Sequence, residues 1–236
     1  MSATPERVAE LQERLAAVHA RIDAACAAAG RPRDEVRLVV VTKYFPRSDL
    51  DALVGLGVRD VAESRAQEAT AKLAEGDGPP PGVRTHFVGQ IQSNKAGEIA
   101  RLADVVHSLD RAKVVRALAR GAQAAGREVT GLVQVDLEGA DAGRGGAQPQ
   151  DVPALADLVV ESGLRLGGVM AVAPRGADPA PAFARLAELA AQVRAEHPGA
   201  VMISAGMSGD LEQAVAHGAT HLRVGSAILG DRQSHR

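Results

Sequence analysis

The sequence predicts an α/β fold: a single (β/α)8 TIM-type barrel with an extra N-terminal helix. Its 236 residues fit one such barrel. Eight short apolar runs alternate with helical stretches, and runs such as Leu38-Val39-Val40-Val41 are apolar on both faces, as in a parallel sheet covered by helices. An open doubly wound sheet would share the alternation. However, Thr42-Lys43-Tyr44-Phe45-Pro46 stands where that fold carries its glycine-rich dinucleotide fingerprint.

The predicted elements follow the chain in strict alternation. The strands are predicted at 36–42, 60–62, 84–88, 104–107, 129–135, 166–172, 201–203 and 221–224. The helices between them are predicted at 48–56, 65–75, 93–101, 111–125, 152–162, 180–196 and 208–217. Because no long linker interrupts this order, we expect one domain over residues 1–236, with its barrel at 36–230. The glycine-rich segments 76–82 and 139–149 are predicted surface loops.

Residues 1–30 are predicted to form the extra helix. Thr4 can cap its N-terminus, Pro5 suits its first turn, and Gly30 followed by Pro32 ends it. Apolar residues recur at steps of three and four, which places them on one face of the helix: Val8, Leu11, Leu15, Val18, Ile22 and Cys26.

Composition argues against partners that need a strong electrostatic or aromatic surface. The net charge is −2, and one Tyr, three Phe and no Trp provide no platform for stacked bases. No apolar run approaches the roughly 18 residues of a membrane span, and the N-terminus lacks the apolar segment of a signal peptide. Cys26 is the single cysteine, so an internal disulfide is impossible. We therefore expect a cytoplasmic protein that binds neither nucleic acid nor membrane.

Two loops predict a phosphate site. Barrels bind ligands at the carboxyl ends of their strands, and frequently hold phosphate with the loops after strands seven and eight. Here Ser204-Ala205-Gly206-Met207-Ser208-Gly209-Asp210 opens a predicted helix, with Ser208 placed to cap it. Gly225 and Ser226 follow the last strand, and Arg223 stands beside them. Simple helix caps and turns are the alternative interpretation.

Lys43 is the second chemical signal, because it ends the apolar first strand. Desolvation of a lysine favours the neutral amine, which is the form that attacks carbonyls. The alternative is a lysine whose stem packs on apolar surface while its ammonium group reaches water. A Schiff-base lysine beside a phosphate site fits a phosphorylated aldehyde, of which pyridoxal 5′-phosphate (PLP) is the common one. An aldolase acting on a sugar phosphate would need the same two features.

No metal site is predicted. His217 and His221 have the spacing of a metal-binding pair, but Gly218 ends the helix between them, and the other five histidines are scattered.

These residues resemble the pyridoxal phosphate homeostasis protein family over nearly the whole chain. The segments that carry the resemblance are VVVTK at 39–43, ESRAQE at 63–68, HFVGQIQSNK at 86–95, HSLDR at 107–111, GVMAV at 168–172, SAGMSGD at 204–210 and RVGSAILG at 223–230. The family fold is similar to the barrel domain of bacterial alanine racemase, without the second, β-rich domain of that enzyme.

The resemblance implies a PLP site at the barrel mouth. Lys43 would carry PLP as an internal aldimine. The phosphate would be held by Ser208 and by the backbone around Gly225 and Ser226, with Arg223 close to either the phosphate or the ring nitrogen. The remaining members of the predicted cofactor-binding set are Ser64, Ser204 and Met207. Two residues depart from the family pattern: Ser64 stands where Asn is usual, and Arg144 replaces a lysine in the fifth loop.

The resemblance also implies a role in intracellular PLP homeostasis, through buffering or delivery of PLP and an influence on amino-acid and keto-acid balance. PLP-dependent apoenzymes would be transient partners, and no enzymatic turnover is expected. A racemase is the main alternative, but its two-base chemistry needs a second acid/base. The only tyrosine, Tyr44, adjoins Lys43; weak activity stays open. A further alternative is an interaction protein with a vestigial pocket. We expect a monomer, because no exposed apolar stripe is evident.

Overall fold

The computed structural model describes residues 2–75, 78–137 and 145–230. Eight parallel strands pair in chain order and close into a barrel, which confirms the predicted fold class. The strands are β1 Arg37–Val41, β2 Asp60–Glu63, β3 Arg84–Phe87, β4 Val105–Leu109, β5 Thr130–Gln134, β6 Arg165–Met170, β7 Met202–Ser204 and β8 His221–Val224. Closure comes from β1 and β8, which pair over four residues from Arg37 with His221 to Val40 with Val224.

Helices surround the barrel, as parallel strand connections require. The α-helices of the described residues are α1 Pro5–Ala28, α2 Arg47–Gly55, α3 Ala66–Ala74, α4 Ala96–Leu102, α5 Ala112–Ala124, α6 Val152–Glu161, α7 Ala180–Glu196, α8 Leu211–Ala216 and α9 Ser226–Leu229. All predicted helices are present. The helix predicted from residue 208 begins only at Leu211, because Gly206 has a left-handed φ of +88° and the loop after it is irregular. None of the described helices has the length and apolarity needed to cross a membrane.

Helix α1 is the extra N-terminal layer, and its sequence accounts for both of its ends. The Thr4 side chain accepts a hydrogen bond from the Arg7 amide at 3.3 Å, and Gly30 leaves the helix with a φ of +63°. The predicted apolar face is buried from Leu11 to Cys26, while Val8 is half-buried. This face packs against α8, α9 and α2, so α1 covers the outside of the barrel near its closure.

We expect the chain to unfold and to resist proteolysis as one unit, because every strand needs two neighbours and half a barrel would expose two unpaired strand edges. Limited proteolysis is expected to cut first near 76–82 or 139–149, the glycine-rich loops, both of which extend beyond the described residues. Gel electrophoresis and size-exclusion chromatography should then show nicked chains that stay together. Release of a stably folded half would contradict the single-domain expectation.

Candidate functional site

The carboxyl ends of the strands enclose a cavity of about 800 Å³. Seven of the eight predicted cofactor-binding residues line it: Lys43, Ser64, Met207, Ser208, Arg223, Gly225 and Ser226. Residues from seven of the eight strands or the loops that follow them reach the wall, so a single ligand there would contact the ends of many elements. The eighth residue, Ser204, lies behind Arg223 and does not line the cavity.

A tight turn after β1 places Lys43 in the wall. The Phe45 amide donates to the Thr42 carbonyl at 3.2 Å, and Tyr44 takes the left-handed conformation with a φ of 69°. This matches a type II turn, in which such a conformation at a residue other than glycine is strained and needs external support. Lys43 is half-buried, and its amine lies 5.8 Å from the centre of the Tyr44 ring. The amine forms no ion pair with any described residue.

A buried charge network supports this turn from below. The Lys72 ammonium donates to the Thr42 carbonyl at 2.7 Å and to the Glu63 carboxylate at 2.6 Å. The Thr42 hydroxyl donates to the same Glu63 oxygen at 2.7 Å, and the Glu68 carboxylate accepts from the Tyr44 amide. Burial raises the pKa of Glu63, although Lys72 opposes that shift. The network thus holds the backbone on both sides of Lys43.

Sequence reasoning missed this network, because its members lie in the turn after β1, on β2 and on α3 and carry no motif spacing. It also overlooked Gln134, which lines the cavity and ends β5. The strand-end rule would have found Gln134 had the predicted strand not run on to residue 135.

The loops after β7 and β8 meet through Ser208. The prediction that Ser208 caps α8 is wrong: Asp210 occupies the N-cap position, and its carboxylate accepts from the Met207 amide at 2.6 Å. The Ser208 hydroxyl instead contacts the other loop, 3.3 Å from both the Ala227 amide and the Ser226 hydroxyl. Polar hydrogens from two loops therefore converge at one edge of the cavity, where an anion would be stabilised.

Gly225 brings β8 close to β1 at the same edge. A Cβ atom at this position would lie 3.1 Å from the Val41 carbonyl oxygen. The missing side chain leaves the backbone after β8 open toward the cavity, next to the Lys43 turn.

Arg223 is the buried cation of the wall. Its guanidinium donates to the Ser204 hydroxyl at 2.6 Å and to the Ala171 carbonyl at 2.9 Å. Burial lowers the pKa of Arg223 to about 10, so the side chain stays charged at neutral pH. A fixed positive charge therefore faces the ligand space from its floor.

The opposite end of the barrel holds a second cavity, of about 610 Å³, among charged residues. Two of its arginines have acidic neighbours: Arg165 binds Glu128 at 2.8 Å, and Arg84 lies 3.9 Å from Asp60. No lysine is among the described residues that line it, and it lies at the amino ends of the strands, so the cavity at the carboxyl ends is the candidate site. Arg144 lies outside the described residues. Within the described ranges, no group of three or more His, Cys, Asp or Glu side chains is arranged to hold a metal ion.

The comparisons with known proteins agree with this geometry. The family model for the alanine racemase N-terminal domain matches residues 14–233. A pyridoxal phosphate homeostasis protein of Mycobacterium tuberculosis is 45% identical, over 99% of this chain and 97% of that relative. The structure of PipY from Synechococcus elongatus PCC7942 with PLP bound has a TM-score of 0.80 and 31% identity, covering 93% of this chain and all of that one. Alanine racemase from Streptomyces coelicolor A3(2), at 22% identity and a TM-score of 0.68, shares the fold over 94% of this chain and 58% of its own.

The fold and the strand-end lysine thus define a barrel of the alanine racemase N-terminal-domain class. Within that class, the chain belongs to the pyridoxal phosphate homeostasis protein family.

Proposed function

We propose that this protein binds PLP in the cavity at the carboxyl ends of the strands, with Lys43 as the point of covalent attachment, and serves intracellular PLP homeostasis. The observation that carries the proposal is that Lys43 and the loops after β7 and β8 line one cavity of about 800 Å³. A homologue 31% identical to this chain has been solved with PLP bound.

The residues of the cavity fit the chemical groups of PLP. When bound, PLP supplies an aldehyde that condenses with a lysine amine. Lys43 offers an amine without a competing carboxylate among the described residues. Ser208 and the loop at Gly225 and Ser226 offer hydrogen-bond donors to the phosphate.

The remaining predicted residues would complete the site. Met207 is an exposed apolar side chain on the cavity wall, which a bound aromatic ring would cover. Ser64 adds a hydroxyl after β2, and Arg223 adds positive charge from the floor. Ser204 acts through Arg223, because it does not line the cavity and its hydroxyl accepts a hydrogen bond from the Arg223 guanidinium.

We further propose a carrier without a dedicated reaction, in which PLP-dependent apoenzymes receive the cofactor transiently from a monomeric, cytoplasmic protein. The names of the curated relatives support a homeostatic role. Tyr44 adjoins Lys43 in the same turn, which offers no second acid/base on the other side of a bound ring. Incubation of the loaded protein with L-alanine should give racemisation far below that of a dedicated racemase.

The visible absorbance of the purified protein after incubation with PLP tests the proposal. We expect a visible band that survives gel filtration. Borohydride reduction should then leave one covalent pyridoxyl group per chain. Stable trapping of a sugar phosphate without any PLP would favour an aldolase. Binding of neither compound would leave a protein with a vestigial pocket.

The phosphate loops predict a specific selectivity. Ser208→Ala should weaken the preference for PLP over pyridoxal by roughly ten- to hundredfold, because a hydrogen bond to a charged group contributes about 1.5–3 kcal/mol. Competition binding followed by absorbance measures the two dissociation constants. Stability should hardly change, since Ser208 does not cap α8.

The matched control for this prediction is Ser162→Ala. Ser162 follows α6 and leads into the amino end of β6, so it lies away from the cavity. The control should keep the wild-type preference. If Ser208→Ala keeps that preference as well, the phosphate is held elsewhere.

A further inference from the structure

A line of hydrogen-bonded side chains runs through the barrel interior beneath the cavity. Arg223 donates to the Ser204 hydroxyl at 2.6 Å, and that hydroxyl lies 2.8 Å from His107 Nδ1. His107 Nε2 lies 2.8 Å from His86 Nδ1, and His86 Nε2 lies 2.9 Å from the Asp60 carboxylate. All five residues are buried, and Asp60 stands at the opposite end of the barrel.

The chemistry of the two ends sets the direction of every hydrogen bond between them. Arginine can only donate and a carboxylate can only accept. If Ser204 donates its proton to His107 Nδ1, then His107 donates from Nε2 to His86 Nδ1, and His86 donates from Nε2 to Asp60. In this arrangement both imidazoles are neutral, and each proton has one acceptor.

The reverse direction leaves a proton without a partner. It would require His86 as an imidazolium that donates to both Asp60 and His107, and His107 Nδ1–H would then donate to Ser204. The Ser204 hydroxyl proton would have no acceptor, because its other contact in the described residues is the donor Arg223. A buried, unsatisfied hydroxyl is costly, so the neutral arrangement is favoured.

The electrostatics of the interior agree with this direction. Burial lowers the pKa of His107 well below its ordinary value, which keeps the ring neutral. Burial alone would raise the pKa of Asp60, but the hydrogen bond from His86 and the nearby arginines outweigh it, so the pKa is lowered and the carboxylate is charged. The line of hydrogen bonds thus ends in the Arg223 cation at the cavity and in the Asp60 anion at the opposite rim of the barrel.

We infer that Asp60, His86, His107 and Ser204 are positioning residues that hold the Arg223 guanidinium in the cofactor cavity from the opposite end of the barrel. None of the four lines that cavity. Because Arg223 has only the Ala171 carbonyl as a second anchor in the described structure, loss of the Ser204 contact would let the guanidinium rotate. The positioning role rests on the proposed PLP site, whereas the direction of the hydrogen bonds does not.

Two buried serines provide a matched test at the near end. Ser204→Ala should raise the dissociation constant for PLP roughly tenfold and shift the visible band of the bound cofactor, since one hydrogen bond to a charged group is lost. Ser108→Ala is the control. Ser108 is equally buried and follows His107 on β4, but its hydroxyl has no hydrogen-bond partner among the described residues. The control and Ser204→Thr, which keeps the hydroxyl, should both resemble the wild type.

The far end is tested on the same rim with two aspartates. Asp60→Ala should weaken PLP binding although Asp60 is remote from the cavity, while Asp60→Asn, whose amide oxygen can still accept from His86, should bind nearly as the wild type. Asp104→Asn is the control. Asp104 lines the same rim but pairs with Arg127 at 2.5 Å and accepts from the Thr85 amide at 2.8 Å, which an Asn oxygen can still do, and it contacts no histidine among the described residues.

Nitrogen-15 NMR of the histidine-labelled wild-type protein decides the direction without any variant. The expected result is a coupling between two imidazole nitrogens across a hydrogen bond, with both rings neutral and protonated at Nε2. An imidazolium at this pair, or an Nδ1–H tautomer, would overturn the inferred direction of the hydrogen bonds.

Wild-type affinity and spectrum in both Ser204→Ala and Asp60→Ala would overturn the positioning role. A wild-type protein that fails to bind PLP would overturn the proposed function and the positioning role together, and the tautomers would still be decided.

Discussion

Replacing Lys43 with methionine is expected to abolish covalent attachment of PLP while leaving the barrel folded. Methionine keeps an unbranched stem of similar length and removes only the amine. Lys43 is half-buried and makes no ion pair with a described residue, so little folding energy depends on its charge. Borohydride reduction of the loaded wild type, followed by peptide mass mapping, should place the pyridoxyl group on Lys43. The variant should show no pyridoxyl group and no visible band after gel filtration.

The control for this result is the same substitution at Lys95. Lys95 lies in the turn after β3, does not line the cavity and pairs with Glu98 at 3.1 Å. Lys95→Met should retain the covalent group in full. A pyridoxyl group found on Lys95 or on another lysine in the wild type would refute the assignment of Lys43.

The sequence predicted the barrel and the strand-end residues because both depend on local patterns. Short runs that are apolar on both faces mark the strands, and the rule that ligands bind at their carboxyl ends selects Lys43 and Arg223 without knowledge of the packing. Both residues line the same cavity.

The features that the sequence could not predict depend on contacts between elements that are distant along the chain. Ser208 has the residue type and position of a helix cap, but its hydroxyl contacts Ala227 in the next loop, and that pairing is set by how the two loops fold together. The hydrogen bonds of the buried histidines could not be predicted for the same reason. His86 and His107 sit on strands that are buried on both faces, so no alternation reveals which side chains point into the barrel.

The network of Lys72 and Glu63 explains how Lys43, which the sequence predicts, acquires a defined position through contacts that the sequence does not predict. Lys43 is placed by the Thr42 carbonyl and the Tyr44 amide on either side of it, and both are held by charged groups. The conformation of Tyr44 is strained, so the turn depends on these contacts more than an ordinary loop would. Removing them should therefore affect stability and cofactor attachment together.

Lys72→Met is expected to destabilise the protein by about 3–5 kcal/mol at pH 8, because it leaves the buried Glu63 carboxylate without its partner. Burial already raises the pKa of Glu63, and loss of Lys72 raises it further. A carboxyl group whose folded pKa is raised favours the folded state at low pH and loses that contribution as the pH rises through the folded pKa. The deficit should therefore be smaller at pH 5 than at pH 8, as measured by urea unfolding at both values.

The control for the Lys72 prediction is again Lys95→Met, which removes a partly exposed ion pair that should contribute less than about 1 kcal/mol at either pH. The double variant Glu63→Gln with Lys72→Met should recover part of the lost stability, since it removes the unpaired charge. Equal deficits at pH 5 and pH 8 would contradict a charged Glu63 as the cause. If the double variant regains stability but forms the covalent linkage to PLP slowly, the network holds the Lys43 turn in addition to stabilising the fold, because the neutral pair no longer anchors the Thr42 carbonyl with an ammonium group.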